Sequence, residues 1–233
     1  MFLPIHDGHP RKHIPLHYAT LGLIAANAVV YALFQFDILT GAWGDERSFG
    51  VIPITFASEY VRPAVIDVIP EPLTLVTSSF IHADFWHLLG NMLFLWVFGD
   101  NVEDAMGHLR FVVFYLLCAV ASALLYVAIN PDSNAYLIGA SGAVAGVVAA
   151  YLLLHPRVRV WVLFLNRIPL RLSAMWLLGG WAILQIVYAV LVYESAVAWW
   201  AHVGGLIAGG IIFMRRPGVP LFDQGLADQP SRP

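Results

Sequence analysis

The sequence predicts an all-α polytopic membrane protein built from six transmembrane helices, and three observations carry that expectation. Of its 233 residues 60% are hydrophobic and only 12% charged, with a mean hydropathy of +0.75, which is more apolar surface than a soluble core of this size can hide. Apolar runs near the ~20 residues that a bilayer requires recur along the whole chain. The Arg and Lys residues between them fall largely on one side.

The first run, about 17 to 36, follows Arg11 and Lys12, and the second, about 84 to 100, is followed by Arg110. The third spans about 109 to 129 and the fourth about 139 to 155. Arg157, Arg159, Arg167 and Arg171 separate the fourth from the fifth, about 173 to 192, and Arg215 and Arg216 follow the sixth, about 198 to 214. The opposite face carries Arg47 and Arg62 among Asp45, Glu46, Glu59, Asp67 and Glu71. The positive-inside rule then puts both termini in the cytoplasm. Residues 1–16 form a cytoplasmic N-terminal segment, 17–214 the helical domain, and 215–233 a Pro/Gly/Asp/Gln-rich tail expected to be disordered. No cleavable signal peptide is visible, and the compact six-helix form points to a plasma membrane.

The net charge of −3 offers no basic face for nucleic acid. The single Cys118 excludes an intrachain disulfide and a Cys-rich metal cluster. The first outer loop, roughly 45 residues with Pro53, Pro63, Pro70 and Pro72, is long for a connector. Its apolar content, including Trp43, Phe49, Phe56, Tyr60 and Val61, suggests packing on the outer leaflet. A gating role and a structured cap without chemistry are equally compatible with it.

Polar side chains inside spans mark function. Ser141 opens the fourth helix within Gly139-Ala140-Ser141-Gly142, and His202 lies near the outer end of the sixth. The fourth run covers only about 24 Å of a hydrocarbon core of about 30 Å, so Ser141 is submerged, at a depth matching His202. Taken singly, such a serine more often bonds its own backbone and such a histidine pairs structurally. Their matched depth favours chemistry. Gly142 and Gly146, and Gly205 and Gly209, have the small-xxx-small spacing that lets two helices approach closely. His87 and Asn91, four apart on the second helix, supply donors suited to an oxyanion. A metal held by His82, His87, His202 and Asp84 is the rival reading, without a His-Glu-x-x-His pattern to support it.

The ordered motifs His82-Ala-Asp-Phe-Trp-His87-Leu-Leu-Gly-Asn91, Gly139-Ala-Ser141-Gly142 and Ala201-His202-Val-Gly-Gly205-Leu-Ile-Ala-Gly209 resemble those of the rhomboid family of intramembrane serine proteases. The resemblance implies a rhomboid-like six-helix bundle with Ser141 as nucleophile and His202 as general base. It also implies Asn91, His87 and the Ser141 N–H as oxyanion donors, and Gly142, Gly205 and Gly209 as packing residues. Glu103 and Gly107 resemble the family's structural turn. The expected reaction is endoproteolysis of single-span membrane proteins near the outer face, through a Ser-His dyad without an acid, in contact with the lipid bilayer and with no metal, cofactor or nucleic acid. Two departures stand out: Ala145 replaces an aromatic that many members stack on the histidine, and a Trp-Arg pair of the first loop is absent, with Arg62 as a possible substitute. A catalytically silent helix-binding relative and a histidine proton relay are the other classes; the intact Ser141 and His202 oppose the first, and the lack of intramembrane acids and inverted repeats opposes the second.

Overall fold

The computed structural model describes residues 2–39, 44–58, 60, 62–164, 167–192 and 197–215. Each expected apolar run is helical: α1 (Tyr18–Gln35), α4 (Phe85–Met106), α5 (His108–Ile129), α6 (Ser141–Leu154), α7 (Ala174–Leu191) and α8 (Trp199–Met214), with two short helices, α2 (Pro53–Ala57) and α3 (Glu71–Thr77), in the first loop. Trp43, Glu59, Val61, Arg216 and the tail expected to be disordered lie outside the described residues, apart from Arg215.

Among the described residues, α1, α5 and α7 are long and apolar enough to cross a membrane. The helices α6 and α8 are apolar but have 14 and 16 residues. At 1.5 Å per residue they reach only about 21 and 24 Å. The helix α4 is long enough but ends in Asp100, Asn101, Glu103 and Asp104.

That acidic end runs six residues past the expected boundary, because the N-terminal segment satisfies its carboxylates. Glu103, fully buried, accepts from the Ala19 and Thr20 N–H groups at 2.9 and 2.7 Å and from the Thr20 hydroxyl at 2.6 Å. These amides belong to the first turn of α1, whose own N-cap residue, His17, makes no side-chain cap. Glu103 therefore caps α1 from another helix and places its negative charge at the positive end of that dipole. Asp104 takes the Lys12, His13 and Ile14 N–H groups at 2.8, 2.7 and 2.6 Å. The chain turns at Gly107, where φ is +77°, a value that suits a residue without Cβ.

The all-α expectation needs a correction. Phe2–His6 (β1), Arg159–Phe164 (β2) and Ile168–Ser173 (β3) form a three-stranded antiparallel sheet in the order β1-β2-β3. Val160 and Val162 face inward while Arg159 and Trp161 face out, a period-2 pattern within a segment that looked like a plain connector. Asp7, just beyond β1, ties the sheet to the bundle by accepting from Tyr151 Oη at 2.7 Å and Asn101 Nδ2 at 2.8 Å.

The described residues of the first loop are held by side-chain and backbone hydrogen bonds. Arg62 is buried and donates to the Arg47 and Ser48 carbonyls at 2.9 and 3.1 Å, with Glu71 3.5 Å away. Val51 bridges to Leu137 through paired backbone bonds of 3.1 and 2.7 Å. This joins the loop to the segment that leads into α6.

Candidate active site

The turn before α6 is fixed from three directions. Gly139 has φ +117°, and a Cβ there would sit 2.7 Å from the His87 ring, so only glycine fits. Its N–H donates to Ser78 O at 2.9 Å, and the Ala140 N–H donates to His82 Nε2 at 3.4 Å. Ser141 is thereby delivered as the first residue of α6, where its own N–H has no intrahelical acceptor.

Glycines bring α8 onto this helix. A Cβ on Gly205 would overlap the Gly142 carbonyl, and one on Gly209 would overlap the Gly146 backbone. The α6 glycines also open toward α5: substituents on Gly142 and Gly146 would run into Ser122 and Cys118. Gly204 lies 3.0 Å, measured from its absent Cβ, from the Ser122 Cα. The packing is thus a three-helix junction of α5, α6 and α8, and the sequence motif revealed only one of its faces.

At this junction the Ser141 hydroxyl oxygen lies 2.8 Å from His202 Nε2, within hydrogen-bond distance. His202 is buried, and its other nitrogen, Nδ1, lies 2.7 Å from Gln185 Oε1 on α7. Trp181, one turn before Gln185, lies parallel to the imidazole within 30° at a centroid distance of 6.2 Å, and Trp199 meets it edge-on at 5.9 Å. Ala145 is fully buried and faces Gly205, so the histidine's ring neighbours come from α7 and α8 rather than from the position four after the serine.

His87 borders the turn through its contact with Gly139 and meets His82 edge-on at 5.1 Å. Asn91 is buried and donates one amide hydrogen to His87 O at 3.1 Å, leaving a second for another acceptor. Burial and the His87 imidazole hold His82 below the ordinary histidine range, at about 4. It stays neutral, with the Nε2 lone pair available to Ala140. Among the described residues no His/Cys/Asp/Glu group is arranged to hold a metal, and His82 supports the turn through Ala140. Gln185 and Trp181 were missed in the sequence; a glutamine inside an apolar run, which is costly unless partnered, was the signal available.

Comparison with known proteins matches residues 69–216 to the Rhomboid domain family. The chain is 28% identical over 210 residues to Rhomboid protein 1, mitochondrial, of Saccharomyces cerevisiae, covering 86% of this chain and 52% of that protein. RHOMBOID-like protein 12, mitochondrial, of Arabidopsis thaliana is 28% identical over 158 residues, covering 61% and 46%. The Presenilin-associated rhomboid-like protein, mitochondrial, of Mus musculus is 28% identical over 172 residues, covering 70% and 42%. The chain spans about half the length of these relatives. All three carry mitochondrial names, which overturns the plasma-membrane placement expected from the compact helical form. With a helical membrane architecture and a matching domain over more than half its length, the chain belongs to the rhomboid family, whose members are generally intramembrane proteases.

Proposed function

We propose that this chain is an intramembrane serine endopeptidase in which Ser141 and His202 form a catalytic dyad, and the 2.8 Å contact between Ser141 Oγ and His202 Nε2 carries that reading. His202 Nε2 takes the hydroxyl proton as Ser141 Oγ attacks the substrate carbonyl, then passes it to the leaving amine. The resulting acyl-enzyme is released by water, which His202 activates in turn. Negative charge on the tetrahedral oxygen falls beside the Ser141 N–H at the positive end of α6, with His87 and the second Asn91 amide hydrogen as further donors. Among the described residues the side-chain hydrogen-bond partners of His202 are Ser141 and Gln185, neither of them a carboxylate.

In this reading all six long helices lie across the bilayer, with the sheet and both termini on the Arg-rich side. The short α6 keeps Ser141 submerged below the opposite surface. Substrates are single-span proteins. A scissile bond in an intact helix is shielded by its own hydrogen bonds, so segments that unwind readily near that surface are cut, with a small residue before the bond to pass the narrow junction at Gly142 and Gly205.

The test is labelling of detergent-purified protein with a serine-reactive fluorophosphonate, together with cleavage of a model transmembrane substrate in liposomes. Labelling and cleavage that vanish in Ser141→Ala support the protease. A folded wild-type protein with neither is a silent relative.

A further inference from the structure

We infer that Gln185 is a positioning residue that selects the tautomer of His202, which deepens the dyad reading above and rests on it. Gln185 is buried on α7 and contacts His202 Nδ1 through Oε1 at 2.7 Å. Its amide has only one orientation compatible with its surroundings. Nε2 lies 3.2 Å from the Trp181 carbonyl, an acceptor, so the nitrogen donates there and the oxygen points to the ring. An amide oxygen can only accept a hydrogen bond. His202 must therefore carry its proton on Nδ1, which leaves the Nε2 lone pair facing the Ser141 hydroxyl.

The same contact persists when His202 becomes imidazolium, since Nδ1–H keeps its acceptor throughout the proton transfer. Gln185 thus does the orienting work of a triad's acid without a charge. A buried carboxylate at this depth costs more to desolvate than a neutral amide whose two ends are both partnered. Trp181 completes the arrangement from the same face of α7, four residues earlier, by limiting rotation of the ring. Among the described residues, His87 on α4 is the titratable group whose charge reaches His202; Ser141 on α6, Gln185 and Trp181 on α7 and Trp199 on α8 fill the other sides of the ring.

The experiment compares wild type, Gln185→Leu and Gln185→Glu by kinetics on a transmembrane substrate and by 15N chemical shifts of the labelled imidazoles, with His202 assigned from His202→Ala. Wild type should show His202 protonated at Nδ1. Gln185→Leu should lower kcat by about tenfold or more with little change in KM, the effect of leaving a buried ring nitrogen unpaired, and should give a mixture of tautomers. Gln185→Glu should restore most of the rate, because a carboxylate also accepts, and should move the acid limb of the pH–rate profile upward by favouring the imidazolium. A residue that merely packs α7 would leave both tautomer and acid limb unmoved. A wild-type protein that does not cleave removes the protease reading, while the tautomer readout still decides the role of Gln185. Nε2 protonation in wild type, or a Gln185→Leu spectrum unchanged at His202, overturns the inference.

Discussion

Placing a single methyl group on Gly205 should disable the site without touching it. The added Cβ would lie 2.8 Å from the Gly142 carbonyl carbon, where ordinary contact begins at 3.4 Å, and closer still to its oxygen. The obstacle is backbone within a helix, so no side chain can rotate out of the way, and α8 has to withdraw by at least about 1 Å. His202 sits one turn earlier on α8 and moves with it, stretching its 2.8 Å contact with Ser141. A misplacement of that size costs about 100-fold in rate, and overpacking adds about 1–3 kcal/mol of destabilisation. Gly210 on the same helix is the control, because a Cβ there meets nothing within 4 Å. Gly204→Ala, at 3.0 Å from its neighbours, should fall between the two. The assay is kcat on a transmembrane substrate with thermal unfolding measured in parallel. If Gly205→Ala folds and matches Gly210→Ala in kcat, the close approach of α6 and α8 does not set the geometry of the site.

Ser141→Ala and His202→Ala should each abolish cleavage, and the double variant should be no worse, because the two act as a unit; additive losses in a double-mutant cycle would contradict this. Asn91→Ala should lower kcat by about 10²- to 10³-fold with a smaller effect on KM, and an unchanged kcat would reduce Asn91 to packing. His82, held at about 4 in the fold against 6.5 when unfolded, gives up stability as pH falls. The unfolded chain takes the proton first, so the contribution is whole above about pH 6.5 and shrinks by up to about 3 kcal/mol toward pH 4. His82→Gln should flatten that slope in an SDS titration of unfolding. Glu103→Ala leaves the Ala19 and Thr20 amides and the Thr20 hydroxyl without their acceptor, and should lower stability by about 3 kcal/mol or more, read in the same titration. Ala145→Phe should destabilise rather than activate, since Ala145 is fully buried against Gly205; a higher kcat would show that α8 can yield.

The helices were legible because each is an apolar run bounded by polar or turn-forming residues, and five of the six begin and end within two residues of the expected positions. The exception, α4, continues because Asp104 and Glu103 find partners 83 to 92 residues away, information no local window contains. The sheet escaped for the same reason: β1 has five residues and acquires its meaning only beside β2. The meeting of Ser141 and His202 followed from depth, which a sequence encodes through helix length and direction. Gln185 did not, because its partner lies 17 residues away on another helix and an uncharged side chain gives no electrostatic warning. The replacement of a stacking residue at Ala145 by Trp181 from a different helix was hidden likewise: the resemblance identifies a position, whereas packing needs only a ring of suitable size in the space.

The pairing of Pro4 with Val162 makes the earliest-made part of this chain the last to find its place. At a synthesis rate of about 5–20 residues per second, β1 waits roughly 8 to 30 s for β2 to exist. Through that interval its backbone groups have no strand partner and must be held by water. The Asp7 contacts with Tyr151 and Asn101 add to the delay, since they need α4 and α6 already side by side. Docking of the N-terminal strand is therefore a latch that closes over a finished bundle. A fluorophore at residue 5 quenched by Trp161 would time the moment at which the helices have assembled.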